Sequence, residues 1–329
     1  PYARDYMEII LAGNVFSHTY FGMNAVLRAA SKPRQAMYAT IFTVVMNTLL
    51  DYLFIMVFGW GIRGAAYATI LAQMMALAWQ MWLFSDKRQL LHLKRGIYGL
   101  RVELVKNIIG IGISPFAMNV CACVVVIFIN QQLVHFGGDL DVGAYGISNR
   151  MGFMFVMLVM GINQGMQPIV GYNYGAQKLD RTMGVLKLGI VFATVIMTAG
   201  WLIAMLLPYY CARLFTTDAT LIRLAIKAIR ILMLVFPIIG YQMVVTNFFQ
   251  SIGKVKISIL LSLSRQLLLL LPLLAVLPEV FGIDGVWYAM PVSDFLSALL
   301  AAWVMAVYMR KFKKQHKALT YGRQEEHHH

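Results

Sequence analysis

Two carboxylates of this sequence lie inside long apolar stretches, where a charged side chain is rare. Asp51 and Asp294 are each flanked on both sides by mainly apolar residues. Ionisable residues at membrane depth are costly to bury and usually functional, and a carboxylate in such a place can take up and release a proton. We therefore expect both to be ion-coupling residues, with His18 as a weaker candidate. The alternative for each is a structural hydrogen bond or ion pair.

Other polar residues and methionines inside the apolar stretches could line a path for a solute. Arg150 and Arg265 need anionic or carbonyl partners, so a structural pairing role competes with substrate contact. Methionines recur every third residue from Met151 to Met160 and would form a soft, adaptable wall, with helix or lipid packing as the alternative. The predicted cavity residues are Asn47, Asn130, Gln131, Arg150, Asn163, Gln164, Gln167, Arg265, Met154 and Met157.

The elements that position these residues are predicted to be membrane-spanning helices. The chain has 329 residues, of which 60% are hydrophobic and 13% charged. Apolar stretches of about 20 residues recur along it, the length at which a helix crosses a hydrocarbon layer of ~30 Å. The fold class is therefore an all-α polytopic membrane protein. The predicted spans are 6–28, 36–58, 63–84, 104–134, 142–168, 183–208, 220–249, 256–277 and 284–309.

The net charge of +14 mostly reflects how the chain is oriented in the membrane. Lysines and arginines concentrate in every second loop, at 28–34, 85–106, 178–187 and 254–256, and in the tail after Tyr308. The positive-inside rule places these loops and the C-terminus in the cytoplasm. This alternation argues against nucleic-acid binding as the reason for the excess of cations.

A duplicated segment indicates internal repeats. Gly61–Ala68 recurs as Gly282–Ala289, and the basic turn at 28–34 lies opposite 250–256. The repeat covers three helices, so spans one to three pair with spans seven to nine. Spans four to six have no such partner, and we expect three further spans upstream, giving twelve. Repeats of this kind are typical of secondary transporters, whose substrate sites lie at the repeat interface.

Prolines and glycines within the spans are candidate hinges. A proline inside a helix removes a backbone hydrogen bond and weakens the helix locally. Gly171 and Gly175 are expected to form a tight cytoplasmic turn after Pro168. Ordinary helix termination is the alternative to a hinge role for these prolines. The hinge candidates are Pro115, Pro168, Gly171, Gly175, Pro272 and Pro291, and Pro237 is also placed to kink its span.

Metal, redox and enzymatic chemistry find no support in the sequence. Cys121 and Cys123 face different directions on one predicted helix, and Cys211 stands alone. No cluster has metal-ligand or nucleophile spacing, so a membrane enzyme is the weaker alternative to a transporter, and no metal or cofactor is predicted. The terminal Glu326–His329 resembles the remains of a purification tag, so its histidines do not indicate a metal site.

Several motifs carry a resemblance to a known family. Gly161–Ala176 is similar to the signature that ends the eighth span of multidrug and toxic compound extrusion (MATE) transporters. Asn47–Asp51 followed by Gly59–Ala66 resembles the junction of that family's fifth and sixth spans. Arg265–Gln266 and Pro291–Asp294 resemble its eleventh and twelfth spans, particularly in the bacterial branch with the DNA-damage-inducible and staphylococcal multidrug members. The resemblance runs over essentially the whole chain.

This resemblance implies a fold of two six-helix bundles around a central cavity, of which this chain would hold spans four to twelve. Residues 1–84 would form part of the N-terminal bundle, 85–103 a cytoplasmic linker, 104–310 the C-terminal bundle and 311–329 a basic tail. Sodium-coupled relatives carry a Glu in the seventh family span and an Asp in the tenth. The corresponding stretches here hold no carboxylate, so H⁺ is the expected coupling ion and Na⁺ the alternative.

The function implied is export of amphipathic or cationic drugs and dyes by a multi-pass antiporter of the bacterial plasma membrane, monomeric when full length. Rocker-switch alternating access would move the substrate against an ion gradient. A lipid-linked oligosaccharide flippase of the same superfamily is one alternative. A truncated membrane protein that does not transport by itself is another, because the chain as it stands would lack part of the central cavity.

Overall fold

Helices occur in each of the nine predicted spans. The computed structural model describes residues 2–30, 32–85, 99 and 101–326, with the side chains of 2, 3, 107, 111, 114, 115, 117 and 311–326 left out. No strand occurs within these ranges. Most of the predicted linker at 85–103 lies outside them. The chain divides into two compact units, Pro1–Val102 and Glu103–His329.

Over its described residues, the first unit has three α-helices, α1 (Tyr2–Ala29), α2 (Pro33–Asp51) and α3 (Gly61–Phe84). A π-helical segment, Tyr52–Val57, continues α2. Both α1 and α2 pack against α3, which presents a fully buried alanine row at 68, 72 and 76. Small residues let helix backbones approach closely, which is how helices associate where water does not drive them together.

The described residues of the second unit form nine α-helices. Five of them, α8 to α12, make up the last three predicted spans. A π-helical segment, Ser264–Leu270, joins α10 to α11. The bounds are α4 Val102–Phe136, α5 Asp139–Gly175, α6 Leu179–Leu206, α7 Pro208–Arg213, α8 Ala219–Leu232, α9 Phe236–Ser251, α10 Val255–Leu263, α11 Leu271–Phe281 and α12 Ile283–Glu326.

Six stretches of described helix are long and apolar enough to cross a membrane. Helices α1 and α3 have the length but carry more polar residues, and α8 and α9 are each too short to cross alone. The protein is therefore a polytopic all-α membrane protein. The six stretches are Pro33–Val57, Met118–Phe136, Asp139–Gly175, Leu179–Leu206, Val255–Phe281 and Ile283–Arg310.

The structure differs from two of the predicted spans. The span at 220–249 is broken at Met233–Val235, because Pro237 has no N–H to donate to the carbonyl of Met233. The span at 142–168 does not end at Pro168, since α5 continues through it to Gly175. Gly171 thus lies inside a helix instead of in the predicted turn. The turn follows at Ala176–Lys178, where Gln177 has a φ of 56°.

The repeated glycines do the same structural work in each unit. Gly61 and Gly282 have φ values of 54° and 60°, in the left-handed region that glycine adopts readily. Three residues later, a Cβ on Gly64 would lie 3.1 Å from the backbone of Phe54, and one on Gly285 would lie 2.2 Å from the carbonyl oxygen of Leu277. The first glycine turns the chain, and the second lets the new helix lie against the preceding segment.

The residue directly before the second glycine makes an ion pair in both units, with the charges exchanged. Arg63 of α3 pairs with Asp5 of α1, with Nη2 3.1 Å from Oδ2. Asp284 of α12 pairs with Lys227 of α8. Each pair ties the last helix of a repeat to the first. The ion pair therefore occupies the same position in both repeats, but the cation is on the last helix of the first repeat and on the first helix of the second.

Candidate functional site

Asp51 lies at the end of α2 with one carboxylate oxygen uncommitted. Its Oδ1 is buried and has no hydrogen-bond partner in the described part of the chain. One turn earlier, the Asn47 amide donates to Thr69 Oγ1 of α3 at 3.3 Å, and the Thr69 hydroxyl donates to the Ala65 carbonyl at 2.9 Å. Asn47 is thus held by α3, whereas the carboxylate beside it remains able to bind a proton or a cation.

The π-helical segment begins immediately after Asp51. Widened turns of this kind interrupt the regular hydrogen bonding of an α-helix and often occur at functional sites. Here the segment ends in a tight reversal, in which the Trp60 N–H donates to the Phe54 carbonyl at 2.9 Å. The chain geometry around Asp51 is therefore set by the packing of α3 on this segment, which includes the close approach at Gly64.

A cavity of about 650 Å³ opens in the first unit beside this segment. Aromatic rings form one side, with the centroids of Phe54 and Trp60 5.1 Å apart and those of Trp60 and Tyr67 6.0 Å apart. Arg63 also lines it, but Asp5 pairs with its charge. Aromatic faces and apolar walls suit an amphipathic molecule, including an organic cation. The remaining lining residues are Ile70, Leu71 and Met74.

Asp294, unlike Asp51, is held in an ion pair. Arg265, at the start of the second π-helical segment, donates from Nε to Asp294 Oδ1 at 2.7 Å. The Ser293 hydroxyl donates to the Arg265 carbonyl at 2.8 Å, which ties α12 to the π-helical backbone as well. Asp294 was predicted to couple an ion and Arg265 to line the cavity. In the structure they form an ion pair with each other, which is the structural alternative stated for Asp294.

One exposed stripe of α5 collects four of the predicted cavity residues. Arg150, Met154, Met157 and Gln164 follow one another at intervals of four, three and seven residues, and all four are exposed. Asn163 lies on the opposite, buried side of the helix, and its Oδ1 has no partner among the described side chains and backbone. The stripe offers one cation, a polarizable methionine surface and an amide along a single face.

The other predicted residues are dispersed. His18 is exposed on α1, Asn130 is half-buried on α4, and Gln131 and Gln167 are exposed. Pro168 and Pro291 lie inside helices, and Pro272 occupies the first turn of α11. Gly171 faces the Ser251 carbonyl, 3.4 Å from where its Cβ would be. Pro115 lies within α4, with its side chain outside the described part.

Sequence reasoning missed Thr69, Tyr145 and the aromatic wall of the cavity. Tyr145 of α5 is 8% exposed. Tyr67 could have been found from the repeat, because Tyr288 occupies the matching position. Thr69 gave no such signal. Within the described residues, no group of three or more His, Cys, Asp or Glu is placed to hold a metal ion.

Comparison with known proteins gives consistent matches. The sequence model of the MatE family matches residues 1–53 and 111–276. The multidrug export protein MepA of Staphylococcus aureus (strain bovine RF122 / ET3-1) is 24% identical over 301 residues, covering 92% of this chain and 66% of the relative. MepA of Staphylococcus haemolyticus is 25% identical over 304 residues, covering 92% and 67%. The chain thus spans about two thirds of the length of these relatives.

Solved structures match over nearly the whole chain. An outward-facing multidrug resistance MATE family transporter of the MOP superfamily aligns with a TM-score of 0.86 at 22% identity, covering 94% of this chain and 70% of that one. A structure named protein A aligns with a TM-score of 0.83 at 36% identity, covering 92% and 68%. The fold expected from the sequence motifs is confirmed.

Proposed function

We propose, on the premise that this chain belongs to the MatE family of membrane transporters, that it acts in proton-coupled export of amphipathic and cationic organic compounds. The two staphylococcal relatives are multidrug export proteins, which supports a drug-like substrate and a transport role in place of an enzymatic one. The aromatic cavity of the first unit supports the same substrate class, because aromatic faces attract organic cations.

The unpartnered carboxylate oxygen of Asp51 is the observation that carries the proposal. A carboxylate can hold a proton or balance an organic cation, but the two compete for its single negative charge. Entry of a proton therefore favours release of the cation, which is the exchange that an antiporter needs. One charge moving down a membrane potential of 100 mV supplies about 2.3 kcal/mol. Alternating access of rocker-switch type would then expose Asp51 to each side in turn.

Asp51 and the cavity are also connected along the chain. Phe54, which forms part of the aromatic wall, lies within one turn of Asp51 in the π-helical segment. A change in the charge of the carboxylate thus acts on the segment that carries the wall. Ligand or proton binding can shift a conformational equilibrium only when it favours one state over the other. Protonation of Asp51 would do so if the two transport states differ in the surroundings of this carboxylate.

Ethidium efflux from proteoliposomes tests this proposal. The protein that carries this chain is reconstituted, and either a pH gradient without sodium or a sodium gradient without a pH gradient is imposed. We expect the pH gradient to drive efflux and the sodium gradient not to. Efflux driven by the sodium gradient alone would identify Na⁺, not H⁺, as the coupling ion. No efflux under either gradient would contradict export. Reconstitution of the 329-residue chain by itself tests the alternative of a non-transporting fragment.

A lipid-linked oligosaccharide flippase is the second candidate function. The exposed Arg150 and the partly exposed Arg265 favour it, because such lipids carry a pyrophosphate. In the same proteoliposomes, quenching of a fluorescent lipid-linked pyrophosphate by external dithionite would measure its movement between leaflets. Movement of this lipid without ethidium efflux would replace export with flipping.

The proposed location is the bacterial plasma membrane, with the C-terminus in the cytoplasm. The expected result of single-cysteine labelling in intact cells follows from the loop charges. Positions near 90, 180 and 313 should react only after the membrane is permeabilised, whereas positions near 138 and 281 should react from outside. A cysteine-free parent, with Cys121, Cys123 and Cys211 replaced by serine, is the control. Labelling of position 138 only from the cytoplasm would invert the topology.

A further inference from the structure

The exposed face of α8 is entirely cationic after its first turn. Beyond Thr220, the exposed residues of this helix are Arg223, Lys227 and Arg230. Intervals of four and three residues place them on one side of the helix, and the opposite, apolar side packs within the second unit. Lys227 is paired with Asp284 of α12. Arg223 and Arg230 form no ion pair with a described carboxylate, so two guanidinium charges remain uncompensated there.

The neighbouring face of α12 is apolar. From Tyr288 to Val307, each exposed residue of this helix has an apolar or aromatic side chain, and Trp303 is 65% exposed. In a membrane-spanning helix, a surface of this composition lies against lipid tails. Asp284 precedes Tyr288 by four residues and so lies at the end of the same face. Its ion pair with Lys227 therefore places the cationic face of α8 at the edge of a lipid-facing surface.

Helix α7 shows where the surface of the membrane lies relative to this face. It packs against α8 and exposes Tyr209 and Tyr210, and tyrosines of membrane proteins concentrate at the level of the lipid headgroups. Side chains on a helix tilt towards its N-terminus, which in α8 is the end that follows α7. Arg223 and Arg230 are about 10 Å apart along α8, and the long stem of an arginine lets a deeper residue reach the headgroups. Both guanidinium groups are therefore within reach of one layer of phosphates.

We propose that Arg223 and Arg230 bind the phosphate of an anionic phospholipid whose acyl chains lie on the exposed face of α12. A guanidinium donates two parallel hydrogen bonds to phosphate oxygens, and a phosphate between two arginines compensates their charge. A lipid fits better than a soluble anion, because its tails also cover the apolar surface beside the arginines. An anionic headgroup fits better than a zwitterionic one, because the cationic group of the latter would be repelled by the arginines. The proposal requires only that the chain lies in a membrane, so it does not depend on the proposed export activity.

Asp284 limits the charge of this face, because it neutralises Lys227. Asp284→Asn would release Lys227 as a third free cation and should strengthen binding of the phospholipid. Arginines that only extend towards water, without a bound lipid, predict no such gain. This difference separates a lipid site from two solvated arginines.

Native mass spectrometry of the chain, purified in an uncharged detergent, counts bound lipids during a titration. The probe is dioleoylphosphatidylglycerol, and dioleoylphosphatidylcholine, with the same tails and no net charge, is the matched lipid. A cation at a membrane surface contributes about a fivefold gain in binding, so Arg223→Gln with Arg230→Gln should weaken phosphatidylglycerol binding roughly 30-fold. Asp284→Asn should strengthen it about fivefold. Binding of phosphatidylcholine should change in neither variant.

Lys187→Gln with Lys256→Gln is the control, because it removes two exposed cations from α6 and α10 of the same unit. Its affinity for phosphatidylglycerol should stay near that of the parent, and a loss equal to that of the double arginine variant would overturn the proposal. Unchanged affinity in the folded double arginine variant or in Asp284→Asn would also overturn it. If the double arginine variant does not fold, Arg223→Gln alone decides by the same criterion. Retention of glycerol 3-phosphate at the concentration at which phosphatidylglycerol binds would overturn the assignment of a lipid.

Discussion

Replacement of Asp51 by Asn is expected to reduce proton-driven ethidium efflux to the level of protein-free liposomes. Asparagine has nearly the same shape, so the packing of α2 on α3 should persist, but its amide cannot take up or release a proton. The carboxylate oxygen that has no partner among the described residues is then lost as a proton carrier. Efflux is measured in proteoliposomes under an imposed pH gradient, together with the amount of folded protein recovered.

Asp139→Asn is the matched control for this result. Asp139 is an exposed acid in the first turn of α5, and loss of its charge at a helix N-terminus costs only about 0.3–1 kcal/mol. Efflux by this variant should remain near that of the parent. If Asp51→Asn keeps pH-driven efflux at the parent rate, Asp51 is not the coupling residue.

Gly285→Ala should be the most damaging single-methyl substitution at the repeated glycines. The added Cβ would lie 2.2 Å from the Leu277 carbonyl oxygen, 2.4 Å from its carbon and 2.7 Å from the Pro278 nitrogen. All three are backbone atoms of α11, which cannot rotate away as a side chain would. Overpacking usually costs about 1–3 kcal/mol, and we expect a loss of stability at the upper end of that range or beyond.

Thermal unfolding of the detergent-purified chain measures this effect. Gly64→Ala should destabilise less, because its Cβ would lie 3.1 Å from Phe54. Gly165→Ala is the control without a clash, since a Cβ at Gly165 in α5 would have nothing within 4 Å. It should not lower the melting temperature, because alanine is a better helix former than glycine by about 1 kcal/mol. Equal melting temperatures for Gly285→Ala and Gly165→Ala would show that α12 does not need this close approach.

The helices could be predicted from the sequence because length and apolar composition are the dominant constraints on a chain that crosses a membrane. A kink at Pro237 was predicted, but the end of the helix at Met233–Val235 was not, because that segment is as apolar as its surroundings. The helix end at Pro168 was predicted wrongly for a related reason. A proline removes one hydrogen bond, and α5 tolerates that loss and continues to Gly175.

The candidate site was predictable to the extent that it depends on rare residues in apolar surroundings. Asp51 and Asn47 stood out on that ground, and the structure places them one turn apart at the π-helical segment. The difference between Asp51 and Asp294 could not be predicted, because it depends on whether a cation from another helix reaches the carboxylate. Arg265 is 29 positions from Asp294 in the chain, and no periodicity connects them.

The exchanged ion pairs also bear on how a duplicated chain assembles correctly. Two similar three-helix repeats in one polypeptide invite a helix of one repeat to pack in the place of its counterpart, and misassembly of this kind is a known failure of repetitive proteins. If α12 took the place of α3 beside α1, Asp284 would meet Asp5; if α3 took the place of α12 beside α8, Arg63 would meet Lys227. Both wrong pairings bring like charges together, which disfavours them. Because the charges are reversed, α3 forms a favourable ion pair only with α1, and α12 only with α8.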